Sequence, residues 1–116
     1  MTVTLPWPPK ELSPNFRGHW SKIHKYKQAY KEDCWILTKQ AKLKVPEEGK
    51  IKLWITFYPP NNRTRDMDNM LASIKYGLGG YAAALGADDS RFELNIARSD
   101  ENFGMVKVSL EPRELD

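Results

Sequence analysis

Ile51-Lys52-Leu53-Trp54-Ile55-Thr56-Phe57-Tyr58, closed by Pro59-Pro60, is the stretch whose reading decides the fold. Ile51, Leu53, Ile55 and Phe57 alternate with Lys50, Lys52, Thr56 and Tyr58. An apolar–polar period of two places one row of side chains on each face, the pattern of a half-buried strand. The two prolines stop it, since neither can donate to a ladder. Working back, apolar residues fall at Trp20, Ile23, Tyr30, Cys34, Leu37 and Ala41, with Tyr26 or Lys27 filling the gap. Steps of three and four predict an amphipathic helix that packs Trp20 and Cys34 inward and carries lysines on its other faces. Working forward, Leu71, Ile74, Leu78, Tyr81 or Ala82, and Leu85 predict a second helix from about Asp68, ended by Gly86.

The flanks complete the order. Val3 and Leu5 alternate with threonines ahead of Pro6, Pro8 and Pro9, predicting a first strand and an extended turn. Phe92, Leu94 and Ile96, then Val106, Val108 and Leu110, alternate around a turn at residues 100–104 and read as a hairpin. The expected fold is α+β, in βαβαββ order, one domain over residues 1–116 with two helices packed on a mixed sheet. Gly77, Gly79 and Gly80 stand against an unbroken second helix, each costing about 1 kcal/mol relative to Ala.

The 116 residues are 41% hydrophobic, enough for one ordinary core and against global disorder. No apolar run approaches the roughly 20 residues of a membrane helix, and no basic-then-apolar leader opens the chain. The single Cys34 allows no internal disulfide. A cytoplasmic protein with no membrane partner is the expectation. Net charge is +3, split unevenly: residues 1–65 carry +8 and residues 66–116 carry −5. A basic first half suits a polyanion, although such a split also fits a solvated surface.

The acidic half holds Arg65-Asp66-Met67-Asp68-Asn69 and, beyond the second helix, Asp88-Asp89. An aspartate at a helix start is ordinary as a cap, which accounts for one carboxylate but not two pairs. Carboxylates suit Mg²⁺, a hard ion with oxygen ligands. His19 and His24, the only histidines, lack ligand partners at useful spacing and read as surface or helix-start residues. A straight helix would hold the two acidic pairs roughly 25 Å apart. They meet only through a break at residues 77–80, or if the second pair comes from another subunit.

Leu5-Pro6-Trp7-Pro8-Pro9, Asn15, Asp66-Met67-Asp68-Asn69 and Asp88-Asp89 follow one another in an order that resembles the RusA family of Holliday junction resolvases. The resemblance spans nearly the whole chain. It implies a homodimer that nicks opposing strands of a four-way DNA junction symmetrically. It also implies Mg²⁺, with Mn²⁺ as a substitute, held by Asp66, Asp68 and Asp89, with Asp88 as neighbour. Two departures stand out. The family's catalytic lysine position is Ala72 here, and Gly79 replaces a frequent acidic residue. Lys75, seven residues after Asp68 and on about the same helix face, is the candidate replacement cation, beside Arg63 and Arg65 of the preceding loop. Arg17, Lys22, Lys25, Arg63 and Arg65 are the candidate DNA-phosphate contacts. The helix lysines fit a solvated face equally well. A catalytically weak branched-DNA-binding protein of the same fold is the alternative.

Overall fold

Ile51, Leu53, Ile55 and Phe57 are all buried at 2% exposure or less, while Lys52 and Trp54 on the opposite face are exposed. In the computed structural model, which describes residues 1–110, they form β2 (Ile51–Tyr58) at the centre of a four-stranded sheet. The other elements are β1 (Thr2–Pro6), α1 (Trp20–Ala41), α2 (Met67–Leu85), β3 (Phe92–Arg98) and β4 (Met105–Leu110). Short 3₁₀ turns at Lys10–Leu12 and Asp89–Arg91 precede α1 and β3. The class is α+β: both helices lie on one face of a mixed sheet and enclose a core that includes Leu5, Ile74, Tyr81 and Val108. No described helix is long and apolar enough to cross a membrane.

Strand order is β1-β4-β2-β3, which corrects the expected hairpin. β3 pairs with β2 in parallel, Leu53 opposite Leu94 and Ile55 opposite Ile96, and β4 inserts antiparallel between β1 and β2. The parallel pair requires a crossover, and α2 supplies it. The loop after β3 then passes over the end of β2, where the Ser99 N–H donates to the Phe57 carbonyl and Phe103 stacks on Tyr58 at 5.4 Å.

The expected break at residues 77–80 does not occur. α2 runs unbroken for 19 residues, and its glycines instead let α1 approach. A Cβ on Gly77 would lie 2.6 Å from the Tyr30 ring and 2.9 Å from Cys34 Sγ, and one on Gly80 would overlap the Lys31 carbonyl oxygen. Trp20 is also corrected: it is 72% exposed and stacks on His19, while Tyr30, Cys34 and Thr38 are the buried residues of α1, with Tyr26 and Leu37 partly buried against the core. Trp35 and Trp54 are exposed as well, at 42% and 45%. Thr38 escapes the apolar pattern because its hydroxyl donates to the Cys34 carbonyl at 2.7 Å, which satisfies it inside the core. Burial pushes the Cys34 thiol up to about 12.

Candidate functional site

The loop of residues 59–66 carries the chain from the end of β2 to the start of α2, and Arg65 organises it. Its guanidinium donates to the Asn61 carbonyl at 3.0 Å, to Asn61 Oδ1 at 2.9 Å and to the Arg63 carbonyl at 3.3 Å. The same group lies over the Trp7 ring, 5.5 Å from its centroid, and Trp7 in turn meets Phe57 edge-on at 6.2 Å. Arg98, at the end of β3, donates to the Arg63 carbonyl at 2.9 Å. Partial burial lowers the Arg65 pKa, and the Arg63 and Arg98 charges lower it further. Three guanidinium groups thus crowd one loop, and the partners of Arg65 and Arg98 are carbonyl oxygens rather than carboxylates.

Asp66 is the N-cap residue of α2, yet its side chain makes no capping bond. Its carbonyl accepts the Met70 N–H at 3.1 Å, so backbone alone closes the first turn. Asp68 lies within that turn, and both carboxylates are exposed. A cleft of about 580 Å³ opens beside Asp66, lined by Trp7, Asn15, Asn61, Arg63, Arg65 and Asn69 among others. The Pro-rich turn and Asn15 are thereby brought to the acidic motif from the far end of the sequence.

Asp88 and Asp89 divide their roles. Asp88 Oδ1 accepts the Ser90 N–H at 2.9 Å, and this bond with that of the Ser90 hydroxyl holds the Asp88 carboxyl below the usual range. Asp88 is therefore a turn residue, and Asp89 opens the 3₁₀ turn with an exposed carboxylate. The continuous α2, roughly 28 Å long, separates its N-cap Asp66 from Asp88 and Asp89, with Asp68 in its first turn. Among the described residues no three His, Cys, Asp or Glu side chains stand close enough to hold a metal ion. Asp66 and Asp68 both sit at the N-terminal end of α2, Asp66 on the cleft, and Asp89 lies beyond the opposite end of the helix.

The remaining candidates distribute around the Asp66 end. Lys27 reaches the Tyr76 ring and Lys31 lies against Gly80, so α1 and α2 run in the same direction. Arg17, Lys22 and Lys25, all exposed, consequently lie towards the α2 end that bears Asp66 and Asp68. Lys75 is exposed two turns along α2 from Asp68. His19 caps α1, its Nδ1 accepting the Ser21 N–H at 3.2 Å, in keeping with a helix-start role. Arg98 is the residue that sequence reasoning missed. Its signal, a basic residue ending a strand beside the Arg63–Arg65 loop, exists only once β3 is known to pair with β2.

A protein of Xylella fastidiosa (strain Temecula1 / ATCC 700964), described as an uncharacterized protein, is 46% identical over 114 residues, covering 94% of this chain and 74% of the relative. The chain belongs to the family of that protein. No family model matches it.

Proposed function

We propose that this protein is a Mg²⁺-dependent, structure-selective endodeoxyribonuclease of the RusA type, which resolves Holliday junctions by paired symmetric nicks as a homodimer. The observation that carries the reading is the placing of Asp66, an exposed carboxylate at a helix start with Asp68 in the turn that follows, on a cleft that Arg63 and Arg65 also line. Guanidinium groups bind phosphate oxygens bidentately, and carboxylates beside them have little reason to crowd an anion site except to hold a cation there.

The donor set fits the ion. Asp66 and Asp68 offer oxygen only, and Asp66 is uncommitted to capping, so both would hold Mg²⁺ or Mn²⁺ together with substrate phosphate. When bound, the ion supplies polarisation of the scissile phosphate and activation of the attacking water. The straight α2 favours the partner subunit's Asp89 as the third carboxylate, because this chain's own Asp89 lies a helix length away. Arg63 and Arg98 bind and orient the phosphodiester backbone. Lys75 places a positive charge where Ala72 leaves none. Arg17, just ahead of α1, and Lys22 and Lys25 on it extend the phosphate track.

A second reading, a branched-DNA-binding protein with weak or no cleavage, draws on Ala72, a methyl group where the resembling enzymes carry a lysine. One assay separates the two. The protein is incubated with a synthetic four-way junction, linear duplex or free nucleotides, in Mg²⁺ or EDTA. Symmetric junction nicking that requires Mg²⁺ is the expected result. Salt-sensitive junction binding without cleavage would establish the second reading, and nucleotide hydrolysis without junction cleavage would overturn both.

A further inference from the structure

Both helices pack on one face of the sheet, and on the opposite face Thr2, Thr4 and Lys52 are exposed. That face also carries large aromatic rings. Trp54 is 45% exposed, although it stands in an inner strand between Asn95 of β3 and Ser109 of β4. Four residues along β2, about 13 Å away at roughly 3.3 Å per residue, Tyr58 stacks on Phe103, which is itself 55% exposed. One exposed aromatic is ordinary, but two in line on one sheet face form a patch.

The surroundings of these rings identify the occupant. Lys107 stands opposite Thr56, midway between Trp54 and Tyr58, and its Nζ lies 5.3 Å from the centre of the Tyr58 ring. Lys52 stands on the other side of Trp54 along the strand. Glu93, the register partner of Lys52, is the one carboxylate among the described strand residues of this face. Rings that alternate with ammonium groups suit a polyanion that also presents flat apolar surfaces. An unpaired nucleic-acid strand does so, because its bases stack on rings while lysines neutralise its phosphates. A duplex hides its base faces, and lysine is depleted where proteins dock on one another. The face also adjoins the proposed site. Asn102, next to Phe103, donates to Asn62 Oδ1 at 2.9 Å and so joins the Phe103 loop to the loop of Arg63 and Arg65.

We propose that the open face of the sheet is a stacking platform for an unpaired DNA strand, with Trp54 and Phe103 each holding a base and Lys107 the phosphate between them. A strand leaving the Arg63 loop reaches Phe103 first and Trp54 next. The choice of DNA rests on the nuclease reading. The platform itself is separate from the acidic site, and none of these three residues lines the cleft beside Asp66.

Binding of fluorescein-labelled oligo-dT, read by anisotropy in EDTA, tests it. The native protein is expected to bind, with affinity that falls as salt rises. Trp54→Ala and Phe103→Ala are each expected to weaken binding about tenfold or more, the loss of one stacked base. Trp54→Phe, which keeps a ring, is expected to stay within a few-fold of the native protein. Phe103 lies in a loop, so its substitution reads the platform even if Trp54→Ala unfolds. Lys107→Ala is expected to reduce the slope of log K against log[salt] by about 0.7, one single-strand phosphate. Trp35→Ala removes a similarly exposed tryptophan from α1 and is expected to change nothing. A native protein that does not bind oligo-dT, or native affinity in both Trp54→Ala and Phe103→Ala, would overturn the proposal. So would equal weakening of oligo-dT and linear duplex binding in these variants. Self-association that Trp54→Ala abolishes, without oligo-dT binding, would overturn it in favour of a protein interface. Neither metal nor cleavage enters the measurement, so a protein that fails to cut junctions leaves these expectations in place, and their failure leaves the acidic site as proposed.

Discussion

Gly79 and Gly80 are neighbours in α2, and substituting alanine at each is expected to move stability in opposite directions. Helix propensity alone favours alanine at both, by about 1 kcal/mol. At Gly79 the nearest atom to an added Cβ is Lys31 Cε at 3.9 Å, the far end of a flexible side chain, so the gain survives. At Gly80 the added Cβ would overlap the Lys31 carbonyl oxygen and lie 3.1 Å from both Lys31 C and Trp35 N. These are backbone atoms of α1 and cannot rotate away, so the helices must separate and lose contact along their shared face. Overpacking costs of about 1–3 kcal/mol are typical, and a backbone clash belongs at or above the upper end. After subtracting the propensity gain, Gly80→Ala is expected to lose about 2 kcal/mol and Gly79→Ala to gain up to about 1 kcal/mol. Each kilocalorie shifts the thermal midpoint of a chain this size by roughly 4 °C. Urea denaturation with an unchanged slope would measure both. A Gly80→Ala protein as stable as the parent would refute the close helix approach, and with it the explanation of why α2 carries glycines without breaking.

Asp66→Asn is expected to abolish junction cleavage while junction affinity stays within a few-fold, read by gel shift in EDTA. Lys75→Ala is expected to lower the cleavage rate without changing binding, and near-full activity would remove Lys75 from the site. Arg63→Ala is expected to weaken binding similarly across DNA sequences and to reduce the slope of log K against log[salt] by about 1. The raised Cys34 thiol makes a pH prediction. Its ordinary value of 9.0 applies to the unfolded chain, while the folded value is about 12. Below 9 both states hold the proton and stability is unaffected. Above it the unfolded state deprotonates first, so stability falls as pH rises towards 12. Tyr30, also raised by burial, adds to the fall at its upper end. Urea midpoints should drop above pH 9, and less steeply in Cys34→Ala.

β2 was legible because one of its faces is wholly buried, so apolar and polar residues had to alternate. The same alternation in β3 and β4 is real, but it carries no information about partners. A hairpin and a strand that inserts two places away share one local pattern, and the difference lies in the contacts of Phe57 and Tyr58 with residues over forty positions away. The glycines of α2 misled for a related reason. Propensity is a local quantity, whereas the approach of Lys31 to Gly80 is a tertiary one. Trp20 was drawn into the helix periodicity by its apolar character, while Thr38, which does line the core, was hidden by its hydroxyl. At the site, Asp66 and Asp68 were readable from five consecutive residues. Asp88 and Asp89 could be separated only by the Ser90 bond, although an Asp two residues before a Ser is a turn signature that sequence alone offers. Arg98 became visible only with the pairing of its strand.

The central claim is a nuclease site assembled from two chains, and mixing two inactive variants tests it most directly. Asp66→Asn and Asp89→Asn are prepared separately, each expected to be inactive on a four-way junction in Mg²⁺, then mixed and allowed to exchange subunits. In a heterodimer, one site combines both substitutions, while the other combines an intact Asp66 and Asp68 with the partner subunit's intact Asp89. The account predicts that cleavage reappears on mixing, as nicks in one strand at a time because a single site is restored. A mixture that exchanges subunits and stays as inactive as its components would contradict it.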